Sequence, residues 1–248
     1  MSIAICLSKV SKWFARPNRE PLHVLSDISF EVPRNSSVAI VGASGCGKST
    51  LLNIIAGLLP PDEGEVLVDG SQPRNVPAAA VTYMFQDDRL LPWRSTASNV
   101  HFGLETTTLG KAERQARVAE TLELVGLADF ADAYPHELSG GMRSRAALAR
   151  SLVARPSIML MDEPFSKLDP TTRSQMHKEV VRIAREFSMT VVFVTHDAEE
   201  AVVLADKVIV LKPRPGRKET ELKVDMPFPR DPVAADVTET VRSLRQII

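Results

Sequence analysis

Gly42-Ala43-Ser44-Gly45-Cys46-Gly47-Lys48-Ser49-Thr50 fits the spacing of a glycine, four residues, then Gly-Lys-Ser. The apolar, β-branched run 38–41 before it reads as a buried strand. The run 51–56 after it, Leu-Leu-Asn-Ile-Ile-Ala, reads as a helix. Strand, glycine-rich loop and helix in that order form a cradle for phosphate. The glycines let backbone N–H groups turn inward, and the helix N-terminus adds unpaired donors and a positive dipole end. In such a cradle Lys48 reaches the outer phosphates and the Ser49 hydroxyl ligates Mg²⁺. The stretch implies a nucleoside triphosphate site.

Working outward, the N-terminal part is β-rich, with strands expected near 4–10 and 28–32 and again at 65–70 and 81–85. Between about 87 and 156 the character becomes helical. Residues 111–127 carry Val118, Leu122 and Val125 on one face, and Ser139 is a candidate cap for a helix running through 145–152. Strands return at 158–161, 190–195 and 207–211, with a helix expected over 171–187 between the first two. Apolar strands alternating with helices predict a largely parallel sheet covered on both faces. The Pro-rich stretch 213–232 reads as irregular surface chain ahead of a short helix near 233–246.

Composition narrows the function classes. The 248 residues carry 30 Lys and Arg against 31 Asp and Glu, a net charge of −1, which argues against a nucleic-acid partner. Lys48 interrupts the nearest approach to a membrane-spanning run, and the N-terminus lacks the basic start and apolar core of a secretory signal. Two cysteines, Cys6 and Cys46, make no disulfide framework. A cytosolic chain is expected, with any membrane part supplied by another protein. Cys46, close to Lys48 and a helix N-terminus, is expected to have a lowered thiol pKa. The arginines at 143, 145, 150 and 155 read as a solvated or partner-facing helix side.

Two further motifs matter in combination. Ile158-Met159-Leu160-Met161-Asp162-Glu163 is a buried strand ending in two carboxylates, at the sheet edge where ligands sit. There Asp162 suits Mg²⁺, partly through water, and Glu163 suits polarising a water. Leu138-Ser139-Gly140-Gly141-Met142 alone reads as a loop. Lying between Lys48 and Asp162-Glu163, it carries more, and here the sequence resembles the nucleotide-binding subunits of ABC transporters.

The resemblance covers nearly the whole chain. It implies an α/β P-loop NTPase (RecA-like) core with a β-rich N-terminal part and a helical ABC-specific insertion. The implied layout is one ABC ATPase domain, with the core at 1–86 and 157–212, the helical subdomain at 87–156 and a C-terminal extension at 213–248. It implies that Ser139, Gly140 and Gly141 face the γ-phosphate of ATP on an opposite subunit. Gln86 senses Mg²⁺ and the attacking water, Glu163 is the catalytic carboxylate, and His196 is the switch histidine at the γ-phosphate. Asp169, in Ser166-Lys167-Leu168-Asp169, lies on the dimer-interface loop, and Phe14 stacks on adenine. Ser49, Gln86 and Asp162 form the implied Mg²⁺ set. Met142, Ser144 and Lys167 depart from the family pattern at positions that touch no phosphate.

A narrower resemblance rests on 85–94 (Phe-Gln-Asp-Asp-Arg-Leu-Leu-Pro-Trp-Arg), Met142, Arg214-Pro215-Gly216-Arg217 and 227–231. These look like importers for nitrate, sulfonates or taurine. The implied partners are a second ABC subunit in a homodimer or pair, an integral-membrane permease, and indirectly an extracytoplasmic solute-binding protein. The implied location is the cytoplasmic face of the inner membrane, and residues 86–102 are implied to meet a short cytoplasmic helix of the permease. Other classes fit less well. ABC ATPases of DNA repair or translation carry long additions, a metabolic P-loop kinase needs neither the 138–142 signature nor His196, and exporter halves are often fused to membrane helices.

Overall fold

The computed structural model describes residues 2–248. The chain divides into two compact units, one formed by residues up to Val76 together with Ser188–Ile248, the other by Pro77–Phe187.

In the first unit, β1 (Ile3–Arg16) pairs antiparallel with β2 (Arg19–Pro33) on one side and β4 (Glu63–Val68) on the other. Register shifts at several points of the β1–β2 ladder mark bulges, which bend a long two-stranded ribbon. A second sheet is parallel. β3 (Ser37–Gly42) lies between β7 (Thr190–Thr195) and β8 (Lys207–Lys212), and β9 (Arg217–Lys223) adds antiparallel to β8. Every residue of β7, and 38–42 of β3, is buried. That explains their unbroken apolar runs, because a parallel strand covered on both faces has no polar side to show. Helices α1 (Lys48–Ile55) and α6 (Ala198–Leu204) pack on β3 and β7, and α7 (Ala235–Ile247) packs on α6.

In the second unit, β5 (Val81–Met84) and β6 (Ile158–Asp162) form a parallel pair. Helix α4 (Gly140–Leu152) packs against β5, α2 (Thr96–Phe102) and α3 (Lys111–Leu124), and α5 (Pro170–Glu186) follows β6. Ala146, Ala147, Leu148 and Ala149 are buried within α4, where small side chains let neighbouring backbones approach. Gly103 uses the same device, since a Cβ there would lie 2.3 Å from the Arg150 carbonyl oxygen.

The mixed sheets and helical segment agree with the expected fold class. The first two strands run well past the expected 4–10 and 28–32, to Ile3–Arg16 and Arg19–Pro33, because their outer halves pair as a mostly polar ribbon with little apolar signal. The stretch 213–232 differs. Its Arg217–Lys223 portion is strand β9, exposed and half-buried in alternation. Farther on, Arg230 is buried and donates to the carbonyls of Val202, Ala205, Val224 and Met226. The prolines that argued for loose surface chain flank these elements rather than interrupting them.

Candidate functional site

The phosphate loop leaves β3 and turns into α1. Its rim, Ala43-Ser44-Gly45, is exposed, while Cys46 and Lys48 are buried. Gly47 caps α1 in the left-handed region at φ 97°, which only glycine adopts without cost. Gly47 has no side chain to cap that helix start, and a helix start presents N–H groups that have no partner within the helix. Lys48 Nζ donates to the Gly42 carbonyl at 2.8 Å and to the Ala43 carbonyl at 3.3 Å. The ammonium is thus drawn across the loop mouth.

Packing sets the loop tightly. A Cβ on Gly42 would come within 2.3 Å of the Leu211 carbonyl oxygen, at the end of β8. One on Gly47 would come within 2.6 Å of the Leu25 side chain, on β2. The Cys46 thiol is pushed up in pKa by burial, which outweighs the lowering by Lys48 and by backbone N–H groups. The expected low pKa is therefore corrected: the sequence placed the positive groups rightly but gave no sign that the thiol points inward.

His196 follows β7, whose Thr195 is the register partner of Val41 on β3. The phosphate loop and His196 therefore emerge from adjacent parallel strands at the same sheet edge, where ligands bind in such folds. His196 is exposed, and Asp197 next to it caps α6 by accepting from the Glu199 N–H at 2.9 Å. Phe14, 38 % exposed, sits on β1 opposite Leu22 of β2, with the Lys12 ammonium 5.8 Å from its ring. Lys12 is the register partner of Leu25, the residue packed on Gly47. Its neighbour Trp13 stacks on His23 at 4.3 Å between ring centroids.

In the second unit Asp162 ends β6 and accepts from the Tyr83 hydroxyl at 3.3 Å. Burial, and then the Asp162 charge, raise the Tyr83 pKa, so the phenol stays a donor. Glu163 follows with φ 44°, a left-handed backbone that costs a non-glycine residue about 1–3 kcal/mol and recurs at functional sites. Ser166 links two of the expected residues. Its hydroxyl donates to the Glu163 carbonyl at 2.9 Å and lies 3.4 Å from Gln86 Nε2.

Ser139 is exposed and caps α4, accepting from the Met142 N–H at 3.3 Å, as its sequence position predicts. Gly141 approaches α5 so closely that a Cβ would meet Thr172 Cγ2 at 2.7 Å. Thr172 is also the partner of Asp169, whose carboxylate caps α5 through the Thr171 and Thr172 N–H groups at 3.1 and 3.0 Å. The Thr172 hydroxyl and these backbone donors hold the Asp169 carboxyl below the usual carboxylate range. The signature and the Asp169 loop thus meet on one threonine, which the sequence reading did not single out. Lys167 pairs with Asp87, so that departure from the family pattern has an internal partner.

Arg143, Arg145 and Arg150 of α4 bond within the unit rather than only to solvent, while Arg155, past the helix end, is exposed as expected. Arg143 bonds the Asp88 carboxylate at 3.1 Å and the Leu138 carbonyl at 2.8 Å. Arg150 bonds the carbonyls of Asp88 and Arg89, Arg145 those of Val125 and Gly126, and Arg155 the Glu120 carboxylate. Their spacing along one helix was visible; that the segment after Gln86 folds back onto it was not.

Ser49, Gln86 and Asp162 are all oxygen donors, the type Mg²⁺ takes. Among the described residues no cluster of three or more His, Cys, Asp or Glu is placed to hold a metal.

Comparison with known proteins agrees with this geometry. The model of the ABC transporter family matches residues 25–166. The chain is 47 % identical over 215 residues to the Taurine import ATP-binding protein TauB of Rhizobium johnstonii, covering 87 % of this chain and 82 % of that protein. It is 44 % identical over 224 residues to the Aliphatic sulfonates import ATP-binding protein SsuB 1 of Xanthomonas axonopodis pv. citri, covering 90 % and 88 %. Among solved structures, a dimeric ATP-binding cassette in a post-hydrolysis state, bound to ADP and Pi, superposes with a TM-score of 0.80 at 31 % identity, covering 90 % of this chain and 99 % of that one. On a family match that spans the phosphate loop, the signature and the acidic strand end, this chain belongs to the ABC transporter family as an ATP-binding ATPase.

Proposed function

We propose that this ATPase powers an importer for a small oxyanionic solute of the sulfonate, taurine or nitrate class. The observation that carries the ATPase mechanism is the shared sheet edge of the phosphate loop and His196, on neighbouring strands β3 and β7. Lys48 and the α1 N-terminus hold the β- and γ-phosphates of ATP. His196 contacts the γ-phosphate. Phe14 stacks on adenine, where a π face serves any base.

Glu163 takes a proton from the attacking water as the water oxygen bonds to the γ-phosphorus. The bond from that phosphorus to the bridging oxygen breaks, giving ADP and phosphate. Catalysis is chiefly positioning and electrostatics. Ser49, Gln86 and Asp162 would hold Mg²⁺, which when bound would supply charge neutralisation on the phosphates. Ser139, Gly140 and Gly141 act on the ATP of a second copy, with Asp169 at the interface between copies. The exposure of Ser139 at an α4 N-terminus supports that role.

The solute class is supported by the import functions named for the taurine and sulfonate relatives. No helix among the described residues is long and apolar enough to cross a membrane. The import functions named for the same relatives support a peripheral place on an integral-membrane permease at the cytoplasmic face. An extracytoplasmic binding protein then delivers the solute.

The test is Mg-ATPase activity and oligomeric state of wild type and Glu163→Gln, with and without ATP. The variant should keep ATP binding, lose about 10²–10⁴ in turnover and accumulate as an ATP-dependent dimer. Equal hydrolysis by both forms, with no dimer, would sink the assignment. Loss of growth on taurine as sulfur source or nitrate as nitrogen source in cells lacking the subunit separates the solutes.

A further inference from the structure

The turn joining β8 to β9 closes onto the phosphate loop. Gly216 is its contact point. The Gly216 N–H donates to the Val24 carbonyl at 2.8 Å, and the Ser26 N–H donates to the Gly216 carbonyl at 2.9 Å. The turn is thereby stitched to β2 as one rung of a parallel ladder. On its other side there is no room. A Cβ at 216 would lie 2.2 Å from the Cys46 carbonyl oxygen and 3.1 Å from Leu25 Cδ2. Leu25 is fully buried and also underlies Gly47.

We propose that Gly216 is a positioning residue for ATP binding: by lacking a side chain it lets the β8–β9 turn seat the Cys46–Gly47 peptide of the phosphate loop. The argument rests on peptide planarity. The Cys46 carbonyl and the Gly47 N–H belong to one rigid plane and point in opposite directions. Gly216 limits where the carbonyl end lies, and so sets where the N–H end points. That N–H is one of the donors a phosphate uses in such a loop. The neighbouring Leu211 carbonyl, against Gly42, fixes the other end of the same loop. β8 and its turn therefore brace the loop at both ends, though they lie more than 160 residues later in the chain. The inference rests on the phosphate-loop reading proposed above.

The experiment measures mant-ATP affinity and Mg-ATPase KM and kcat for wild type, Gly216→Ala, Lys48→Ala and Glu219→Ala. Glu219 sits on the same hairpin in a surface pair with Lys212, so its variant should match wild type. Gly216→Ala should weaken mant-ATP binding and raise KM by about tenfold, within the ~10²-fold that a 1 Å misplacement costs, with kcat little changed. Simple destabilisation would instead lower kcat at constant KM by reducing the active fraction. Lys48→Ala binding mant-ATP as tightly as wild type would overturn the phosphate-loop reading itself. Loss of binding in Lys48→Ala with none in Gly216→Ala would overturn only the positioning role. If Gly216→Ala does not fold, hydrogen exchange on wild type decides: Mg-ATP should slow exchange at the Gly216 and Ser26 amides, and unchanged exchange there refutes the coupling.

Discussion

Arg150 Nη2 donates to the carbonyl of Asp88 at 2.6 Å while its Nη1 donates to the carbonyl of Arg89 at 2.7 Å. One guanidinium fork therefore holds two successive carbonyls of the segment that follows Gln86. Arg143, two turns earlier on α4, adds the Asp88 carboxylate. The helix that begins at Ser139 is thus fastened directly to the Gln86 segment. Burial lowers the Arg150 pKa, yet a guanidinium stays charged at any working pH. Arg150→Ala should cost about 1.5–3 kcal/mol of unfolding free energy, the value of hydrogen bonds that involve a charged group. Arg150→Lys should recover less than half, because an ammonium has no planar fork to span both carbonyls. Urea denaturation of the three forms checks this, and a lysine variant as stable as wild type would show that the fork is dispensable.

Asn99 has no exposed surface, and its side chain closes the loop that carries the exposed Trp93. Its Oδ1 accepts from the Leu91 N–H at 2.8 Å, and Nδ2 faces the carbonyls of Leu91, Arg94 and Ser95 at 3.0–3.1 Å. Removing the amide strands several buried polar groups at once, each costing about 1–3 kcal/mol when left unpaired. Asn99→Ala should therefore destabilise by at least about 3 kcal/mol. Asn99→Asp should also fail, since a carboxylate cannot donate to those carbonyls. Thermal unfolding measures both, with limited proteolysis near 91–95 reporting where the chain loosens. A melting point unchanged in either variant would contradict this account.

Much of this was legible in the sequence, for reasons that differ by element. The phosphate loop was readable because its chemistry is local: strand, glycines, Lys48 and helix follow one another without a gap. The positions of Asp162, Glu163 and His196 were readable because each ends or directly follows an apolar strand. Capping was readable at Ser139 for the same local reason. What was not legible is what depends on distant chain. Cys46 has the right neighbours for a low pKa, yet Gly42 and the buried loop wall decide its burial. Arg150 shows only helical spacing, while its partners lie 61 and 62 residues away. Gly216 stands in a Pro-rich run whose composition suggests loose chain, and only the packing against Val24 and Cys46 explains why a glycine is there. The closing strand β9 was missed because its half-buried positions are Lys218, Thr220 and Leu222, and one leucine among charged residues gives too little apolar alternation to read.

The pair Lys12–Asp62 gives a pH signature in the antiparallel sheet. Lys12 is buried, and its ammonium donates to Asp62 Oδ1 at 2.8 Å, while the Trp13 N–H donates to Oδ2 at 2.6 Å. The Lys12 hydrogen bond, then the Trp13 N–H, lower the Asp62 pKa from 3.8. A carboxyl whose folded pKa is depressed stabilises fully above its unfolded value, and that contribution fades as pH falls through the folded value. Wild type should thus melt above Asp62→Asn at pH 7, and the gap should narrow below pH 3.8. Melting both proteins across pH 7 to pH 3 tests it. A gap that widens with acid would reverse the sign and show that Asp62 is not held as a carboxylate.

Cys46 should resist alkylation although it sits in the phosphate loop. Only 1 % of it is exposed, and burial raises its pKa, so both access and thiolate fraction are low. Cys6 is half-buried on β1 and is the other free thiol. In the native protein at pH 8, iodoacetamide should modify Cys6 before Cys46. Peptide mapping over time should show Cys46 labelled at a rate set by opening of the loop rather than by reagent concentration. Mg-ATP should slow Cys46 further and leave Cys6 unaffected, because phosphate holds the loop closed around the buried thiol. Faster labelling of Cys46 than of Cys6 would mean that the lowering by Lys48 dominates after all, and that the thiol turns outward in solution.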